Sequence, residues 1–314
     1  MKSEVIEITK FDIKDSKGIS KFFREQGYVV IKSAISNDKI DSFLEVYNKI
    51  KTHPLFVYYA QSLHLCMRPQ LNEYGYIRES MQNASRLAFF KDFCQRFQEC
   101  IYDKNVSGAL TAVTGSEKHV SWQNMFFDQS TGTVAHQDSW YLDTEKPGGL
   151  VGVWFALEDI DQQSGPFFVS PKSHKLGLIN RDNVPDHDDF VNVVQKMIAE
   201  ENLSLDEMCL DKGDILLWHP FLIHGASNCQ NPSFSRKSFT SHFYPAGMKA
   251  KDTESKKLLS IYDHDNVKKT INENLYSAYR FNDYFYNLIV YGLYVKNKIT
   301  SKTRALSMRS EDYN

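Results

Sequence analysis

The sequence contains one short motif with metal-binding chemistry, His136-Gln137-Asp138. Residues i and i+2 of a strand lie on the same side, so a strand here would project the imidazole of His136 and the carboxylate of Asp138 together. A single His-x-Asp triplet is a weak signal, because such pairs are common in cores and on surfaces without any ligand. Alone, the motif leaves a metal site and an ordinary polar pair both open.

Two further residues favour the metal site. His224 lies in a strand-like segment after the turn-strand unit KGDILLWHP, and Arg236 begins the next predicted strand, RKSFTSHFYP. Two imidazoles and one carboxylate on one side of Fe(II) form the facial triad of non-haem oxygenases, which leaves positions for a 2-oxo acid and O2. An arginine nearby would bind the far carboxylate of 2-oxoglutarate through paired hydrogen bonds that lysine cannot make.

The segments that carry these residues predict a β-rich core. From about Val120 the chain consists of short apolar runs between turn residues, which is typical of an antiparallel sandwich or barrel. The runs are SWQNMFF, GTVAHQDSWYL, GLVGVWFALED, GPFFVSPKSH, GDILLWHPFLIHGAS and RKSFTSHFYP. Residues 176–208 interrupt them with a polar loop and a helical segment. This insertion is expected to be a lid over the barrel mouth or a plain surface excursion.

The N-terminal part, residues 1–118, is predicted to wrap the core with helices and one strand. A helix ends at Gly27, the β-branched run Val29–Ile31 forms a strand, and a second helix follows. Residues 51–118 are expected to be mostly helical.

The C-terminal part, residues 246–314, is lysine-rich and expected to be helical to its end. Its aromatic segment, residues 281–296, is expected to pack on the outside of the sheet. We therefore predict a single domain over residues 1–314, with the β core at 119–245.

Composition excludes several classes of protein. Hydrophobic residues make up 42% and charged residues 24%, and 37 basic against 39 acidic residues leave no basic field for a nucleic acid. Five scattered cysteines without a Cys-x-x-Cys pair disfavour a zinc ribbon or a disulfide scaffold. The N-terminus lacks the apolar region of a signal peptide, and the apolar stretch Tyr284–Val295 is too short to span a bilayer. We expect a cytoplasmic protein that binds a small-molecule substrate; its oligomeric state stays open.

Four separated segments together resemble the phytanoyl-CoA dioxygenase family of Fe(II)/2-oxoglutarate-dependent oxygenases. They are FFREQGYVVIKSAISNDKIDSF, AHQDSWYL, WFALEDIDQQSGPFFVSPKSHK and GDILLWHPFLIHGASNCQNPSFSRKSFTSHF. The resemblance covers most of residues 17–245, and the occurrence of all four in this order is specific. It implies a mainly β protein with flanking helices (α+β), built on a double-stranded β-helix, which is a cupin-like jelly roll.

The resemblance also implies a set of site residues. The implied iron ligands are His136, Asp138 and His224. The implied 2-oxoglutarate residues are Arg236 as the clamp, with Met125, Gln137, Trp154 and Ser227. Ser227 is included because Ala226 occupies the position where some family members have serine. Candidate substrate residues are Trp140, Tyr141 and His242, with core packing as the alternative. No catalytic residue beyond the metal centre is expected.

The implied activity is that of a dioxygenase that uses Fe(II), 2-oxoglutarate and O2. It would oxidise an unactivated C–H bond of a small metabolite by hydroxylation, desaturation or oxidative cyclisation, with release of succinate and CO2. An acyl-CoA 2-hydroxylase is the alternative within the family. A non-catalytic jelly-roll binding module is a further alternative, although all three ligands and Arg236 are present. A hydrolase is disfavoured because the chain has no Gly-x-Ser-x-Gly elbow.

Overall fold

The computed structural model describes residues 7–252, 267–279 and 282–311, with side chains up to residue 300. The helices are α1 (Ser16–Gln26), α2 (Asn37–Ile50), α3 (Lys91–Ile101), α4 (Lys104–Thr114), α5 (His187–Glu200) and α6 (Asp283–Glu311). The strands are β1 (Lys10–Phe11), β2 (Tyr28–Ile31), β3 (Tyr58–Ala60), β4 (Leu65–Met67), β5 (Met81–Gln82), β6 (His119–Phe127), β7 (Thr131–His136), β8 (Leu142–Thr144), β9 (Val151–Ala156), β10 (Phe167–Val169), β11 (Asp206–Met208), β12 (Ile215–Trp218), β13 (His224–Asn228), β14 (Ser238–Pro245), β15 (Ala250–Asp252), β16 (Lys268–Lys269) and β17 (Leu275–Ser277).

Two sheets face each other across an apolar interior. The larger sheet has the strand order β1-β2-β12-β9-β14-β6-β5-β3-β4, and β17 also pairs with β6. The smaller sheet has the order β11-β10-β13-β7. Trp154 and Trp218 of the larger sheet pack in one cluster with Phe167 and Val169 of the smaller sheet. This arrangement is the predicted jelly roll, and its interior is closed by side chains from both sheets.

The central strands of the larger sheet are buried on both faces. In β14, Phe239 and Phe243 join the cluster beneath α2 and α3, whereas Thr240 and His242 alternate with them and face the barrel interior. The same division places Phe155 of β9 in the outer cluster and its neighbour Trp154 in the inner one. Because both faces are covered, β9 and β12 have near-continuous apolar sequences, whereas β14 places small polar residues and His242 on its inner face.

The N-terminal part follows the prediction up to α2 and then departs from it. Gly27 ends α1 with φ 82°, and its N–H donates to the carbonyl of Phe23. The segment 51–118 is not mostly helical, since β3, β4 and β5 extend the larger sheet beyond β6. These strands have only two or three residues each. Pairing with an existing sheet edge, and not local periodicity, determines their conformation.

The C-terminal part also differs from the prediction. Strand β15 pairs with β8, and β17 runs parallel to β6, so the chain after Pro245 is not helical throughout. Helix α6 begins only at Asp283, and its Tyr286 and Val290 are buried in the larger core. Part of the predicted C-terminal helical region, residues 253–266, lies outside the described residues. No described helix is long and apolar enough to cross a bilayer.

The insertion between the core strands is shorter than predicted. Residues 206–208 form β11 of the smaller sheet, so the insertion spans 177–205. Its helix α5 buries Phe190 and Val194 against the outer face of that sheet, beside Ala135 and Phe168. The helix is therefore anchored by apolar packing, and the loop before it connects this anchor to the barrel.

Candidate metal centre

The predicted iron ligands come together from two neighbouring strands. Strand β7 ends at His136, and the antiparallel register places His224, the first residue of β13, directly opposite. Their ring centroids are 4.3 Å apart. Asp138 lies just beyond the strand, in a 3-10 turn, but the extended backbone of Gln137 returns its carboxylate to the side of His136. The i, i+2 relation predicted from the sequence therefore holds past the end of the strand.

The donor atoms of these three residues fit a divalent cation. Asp138 Oδ1 lies 3.6 Å from His136 Nε2 and 3.5 Å from His224 Nε2. The Nδ1 atoms of the two histidines donate to the carbonyls of Val134 and Leu222, both at 2.9 Å. A carbonyl can only accept, so each Nε2 carries a lone pair directed toward the carboxylate. Two lone pairs and a carboxylate that face one another repel, and a cation bound between them removes this repulsion. Imidazole and carboxylate together are ligands that suit Fe(II).

The electrostatics of the group favour the protonation states that bind metal. Burial acts to raise the pKa of Asp138, but positive charge on the imidazoles of His224 and His242 and the close approach of His136 and His224 outweigh it in the metal-free protein. Together they hold the Asp138 pKa well below its usual range. Burial lowers the pKa of His224, against the opposing effect of Asp138. A charged carboxylate and neutral imidazoles are the forms that coordinate a metal.

The second oxygen of Asp138 has its own partners. Trp218 Nε1 donates to Asp138 Oδ2 at 2.7 Å, and His242 Nε2 lies 3.3 Å from the same oxygen. Gly152 pairs with both residues across β9, and a Cβ at this glycine would overlap the Trp218 ring. The close approach of Trp218 to Asp138 therefore depends on glycine at position 152. The ring of His242, one of the predicted substrate residues, lies beside the Asp138 carboxylate.

The predicted cosubstrate clamp, Arg236, is buried two residues before β14 begins. Its guanidinium carbon lies 5.2 Å from the ring centroid of Phe127 and 5.7 Å from that of Trp154. Burial lowers the pKa of Arg236 to about 10, against the opposing charges of Glu158 and Cys229. Arg236 Nε and Trp154 Nε1 are both buried and have no hydrogen-bond partner among the described residues. Two such donors, one of them charged, fit a carboxylate.

Alternate residues of the β14 segment connect the clamp to the metal ligands. Arg236, Ser238, Thr240 and His242 follow one another at a spacing of two along this segment. Thr240 pairs with Met125 of β6 on one side and with Trp154 of β9 on the other. Met125, Thr240 and Trp154 thus lie at one level of the sheet, between Arg236 and His242. Thr240 was not predicted as a site residue, although the period of two in RKSFTSHFYP places it on the same side of the strand as Arg236 and His242.

Gln137 is engaged by the protein itself. Its Nε2 donates to the carbonyls of Gly177 and Phe221, both at 2.9 Å, and its Oε1 accepts from the N–H of Ile179. The side chain thus joins the start of the insertion to the loop before His224. These contacts give its predicted cosubstrate role no support.

Ser227 is directed away from the metal ligands. Its hydroxyl donates to Glu207 Oε1 at 2.5 Å, on a strand of the smaller sheet. Ala226, its neighbour, is the buried residue of the two. The predicted cosubstrate contact of Ser227 has no support from this geometry either.

Trp140 and Tyr141 connect the metal strand to the insertion. Trp140 is buried and stacks on Phe190 of α5 at a centroid distance of 4.6 Å. The Tyr141 ring lies 5.6 Å from that of His136, and its hydroxyl lies 2.9 Å from His187 Nε2. Trp140 therefore has an anchoring role, whereas Tyr141 stands next to the metal ligands.

Comparisons with known proteins agree with this geometry. The family model described as phytanoyl-CoA dioxygenase (PhyH) matches residues 23–238. The peroxisomal phytanoyl-CoA dioxygenase of Bos taurus is 25% identical over 274 residues, which cover 84% of this chain and 77% of the relative. The solved epimerase SnoN, in complex with Fe3+, alpha ketoglutarate and nogalamycin RO, aligns with a TM-score of 0.60 at 13% identity, over 85% of this chain and 99% of that chain. The carbocyclase SnoK aligns with a TM-score of 0.58 at 16% identity, over 83% and 97%. The two structural similarities confirm the jelly-roll fold.

Proposed function

The chain belongs to the phytanoyl-CoA dioxygenase family and is an Fe(II)/2-oxoglutarate-dependent dioxygenase, and from this premise we propose that it oxidises an unactivated C–H bond of a small-molecule metabolite. The bound iron supplies the oxidising chemistry, in which O2 and 2-oxoglutarate yield succinate and CO2. The observation that carries the proposal is the convergence of His136 Nε2 and His224 Nε2 on Asp138 Oδ1.

The protein's part at the metal is to hold three ligands in one orientation. His136, Asp138 and His224 bind the iron, and the backbone carbonyls at their Nδ1 atoms fix the two imidazole tautomers. Trp218 and His242 engage Asp138 Oδ2, which leaves Oδ1 directed toward the two histidines. His242 is thus a positioning residue in this proposal.

The protein's part at the clamp is to bind the far carboxylate of 2-oxoglutarate away from water. Arg236 supplies the charge and the fork geometry, and Trp154 supplies a second donor. Phe127 and Trp154 flank the guanidinium and exclude solvent from it. Met125 and Thr240 line the level between the clamp and the metal.

The charge of the insertion supports a substrate without multiple phosphates. Helix α5 begins with the exposed residues Asp186, Asp188 and Asp189, and His187 between them contacts Tyr141 beside the metal ligands. Asp186 caps the helix by accepting from two backbone N–H groups, so part of its charge is compensated. Arg181, whose guanidinium carbon lies 4.3 Å from the centroid of the Trp140 ring, offsets part of this charge, but three aspartates leave the rim negative, which disfavours a polyphosphate group and favours a neutral or cationic metabolite.

An acyl-CoA thioester is the second candidate substrate, because the relative named above is a phytanoyl-CoA dioxygenase. In that case the product would be a 2-hydroxyacyl-CoA. The acidic rim of α5 argues against it, since coenzyme A carries several phosphate charges.

The test combines anaerobic spectroscopy with a substrate screen. Fe(II) and 2-oxoglutarate, mixed without O2, should give a visible charge-transfer band in the wild type. Succinate release should then depend on a free metabolite, and product mass should separate gain of one oxygen from loss of two hydrogens. Stimulation by CoA thioesters alone would select the second candidate. A band without succinate release for any compound would favour a binding module, and the absence of a band would contradict the dioxygenase itself.

We further propose that the loop of the insertion closes over bound substrate. Because Phe190 and Val194 anchor α5 and Gln137 holds the backbone of Gly177 and Ile179, closure would involve residues 180–186 and leave the helix in place. Limited proteolysis should show substrate-dependent protection in that loop. Equal cleavage with and without substrate and 2-oxoglutarate would make the loop a passive surface segment.

A further inference from the structure

Helix α6 presents a row of apolar side chains to solvent. Its packing face buries Tyr286 and Val290 against the body of the protein. The exposed row falls within an arc of about 100° on the helix surface, at about 100° of rotation per residue. It consists of Tyr284, Phe285, Leu288, Val295 and Ile299, which are between 47% and 61% exposed. A surface helix normally has polar residues on the face that looks away from the core.

The apolar row continues onto the body of the protein. The exposed ring of Phe89 lies 6.3 Å from Tyr284 and 5.7 Å from Tyr291. The row and Phe89 together form one surface, which we call the α6 patch. Contiguous exposed apolar surfaces of this kind mark interaction sites.

The charges that α6 carries after Asp283 have one sign up to residue 310. Residues 284–310 contain no Asp or Glu, although roughly three would be expected from the acidic content of the chain. The basic residues of the stretch are Lys296, Lys298, Lys302, Arg304 and Arg309. Lys296 and Lys298 are exposed and project on opposite sides of the apolar arc. An apolar face bordered by lysines is the pattern of helices that lie in a membrane interface.

We propose that the α6 patch docks this protein on an anionic lipid surface, with α6 lying in the plane of the headgroups. The apolar row would enter the boundary between headgroups and acyl chains, while the lysine stems extend to the phosphates. Aromatic rings such as those of Phe89 and Tyr284 suit the same depth. Pairing of two copies through α6 is disfavoured, because it brings basic borders together without any acidic partner in the stretch.

The test is co-sedimentation of the full chain with vesicles. The wild type should bind vesicles of phosphatidylcholine with about one third phosphatidylserine, and bind pure phosphatidylcholine at least about tenfold more weakly. Each basic residue near such a surface strengthens binding about fivefold, so Lys296→Glu with Lys298→Glu should weaken it at least about 25-fold. Leu288→Glu with Val295→Glu should abolish binding, and added salt should weaken that of the wild type.

Matched controls separate the patch from general charge and hydrophobicity. Leu55 is as exposed as Leu288 but lies outside the patch, and Lys196 is exposed on α5. Leu55→Glu and Lys196→Glu should leave vesicle binding unchanged, and circular dichroism should show that all variants fold. Absence of binding to the phosphatidylserine vesicles, or binding indifferent to the α6 variants, would overturn the proposal. So would a wild-type dimer in solution that Leu288→Glu with Val295→Glu converts to a monomer, since the patch would then be a self-interface.

Discussion

The two ends of the barrel interior are built in opposite ways, although β14 runs along both. At the metal end, Nδ1 of His136 and Nδ1 of His224 each donate to a backbone carbonyl, and Asp138 Oδ2 accepts from Trp218, although the ring nitrogens of His242 make no hydrogen bond among the described residues. At the clamp end, Arg236 Nε and Trp154 Nε1 are buried without a partner among the described residues. The folded protein therefore orients the metal ligands through its own hydrogen bonds, whereas the donors at the clamp gain an acceptor when the cosubstrate binds.

The difference has an energetic consequence. Burial lowers the pKa of Arg236 to about 10, so the folded protein carries a cost on the order of 3 kcal/mol for a buried charge that Glu158 compensates only in part. A bound carboxylate offsets that cost. Mutations at the metal end should therefore remove metal binding for which the folded protein has already positioned the ligands. Mutation of Arg236 should weaken 2-oxoglutarate binding and, in addition, remove the free-energy cost of burying its charge.

The largest effect is expected from His136→Ala. The variant loses one of three converging donors and leaves Asp138 and His224 without the third, so Fe(II) binding should fall to background. Anaerobic titration of Fe(II) with 2-oxoglutarate measures it through the charge-transfer band. His219→Gln, at a histidine outside the ligand group, serves as the control and should keep the band. A wild-type band in His136→Ala would mean that the ligand group is wrong.

The next effect is that of Arg236→Leu on the cosubstrate. The far carboxylate would be buried unpaired at a cost of about 3–5 kcal/mol, which raises the 2-oxoglutarate requirement by two to three orders of magnitude. Arg236→Lys should fall between, because it keeps the charge and loses the fork. Succinate formation at varied 2-oxoglutarate measures both.

Lys237→Met is the matched control, because Lys237 already binds Glu158. It should leave the 2-oxoglutarate requirement unchanged. If Lys237→Met raised the requirement and Arg236→Leu did not, the neighbouring cation would be the clamp.

Stability should respond to Arg236→Leu in the opposite direction. Without cosubstrate, the variant should be at least as stable as the wild type, because the buried charge is gone. Adding 2-oxoglutarate with a redox-inert metal should raise the melting temperature of the wild type and leave that of the variant almost unchanged. A strongly destabilised variant without cosubstrate would show that Arg236 is already paired within the protein, and the two ends would then be alike.

The sequence predicted the metal end better than its surroundings, for a physical reason. His136, Asp138 and His224 are specified by residue type and by strand periodicity, and an antiparallel register is enough to bring them together. The roles of Ser227 and Gln137 depend on the hydrogen bonds that their side chains make within the folded protein, and no local sequence pattern indicates those bonds. The short strands β3 to β5 escaped prediction because their conformation comes from a sheet edge that is distant in sequence.

A smaller effect is expected from His242, which tests how far the metal end is preorganised. His242→Phe removes the ring nitrogen near Asp138 Oδ2, and loss of such an orienting contact typically weakens metal binding tenfold to 100-fold, by about 1.4–2.8 kcal/mol. His242→Gln keeps a donor and should restore part of the affinity. Ser241→Ala, the next residue on the opposite face, is the control. Calorimetry with Mn(II) measures the metal affinity itself, without a contribution from turnover. Equal affinities for His242→Phe and His242→Gln would exclude a polar effect of His242 on Asp138 and leave only packing.

The smallest effect should come from Trp154→Phe, at the clamp end. The substitution keeps a ring beside Arg236 and against Phe167 and removes only the Nε1 donor. One hydrogen bond contributes about 0.5–1.5 kcal/mol net, so the 2-oxoglutarate requirement should rise roughly twofold to tenfold.

Removing a buried donor that has no protein partner costs the cosubstrate-free protein nothing, so its melting temperature should stay equal or rise. The same substitution at the metal end, Trp218→Phe, removes a donor that Asp138 does use and should lower that temperature. If Trp154→Phe destabilised the cosubstrate-free protein as much as Trp218→Phe, the clamp would be satisfied within the fold, and the contrast between the two ends would fail.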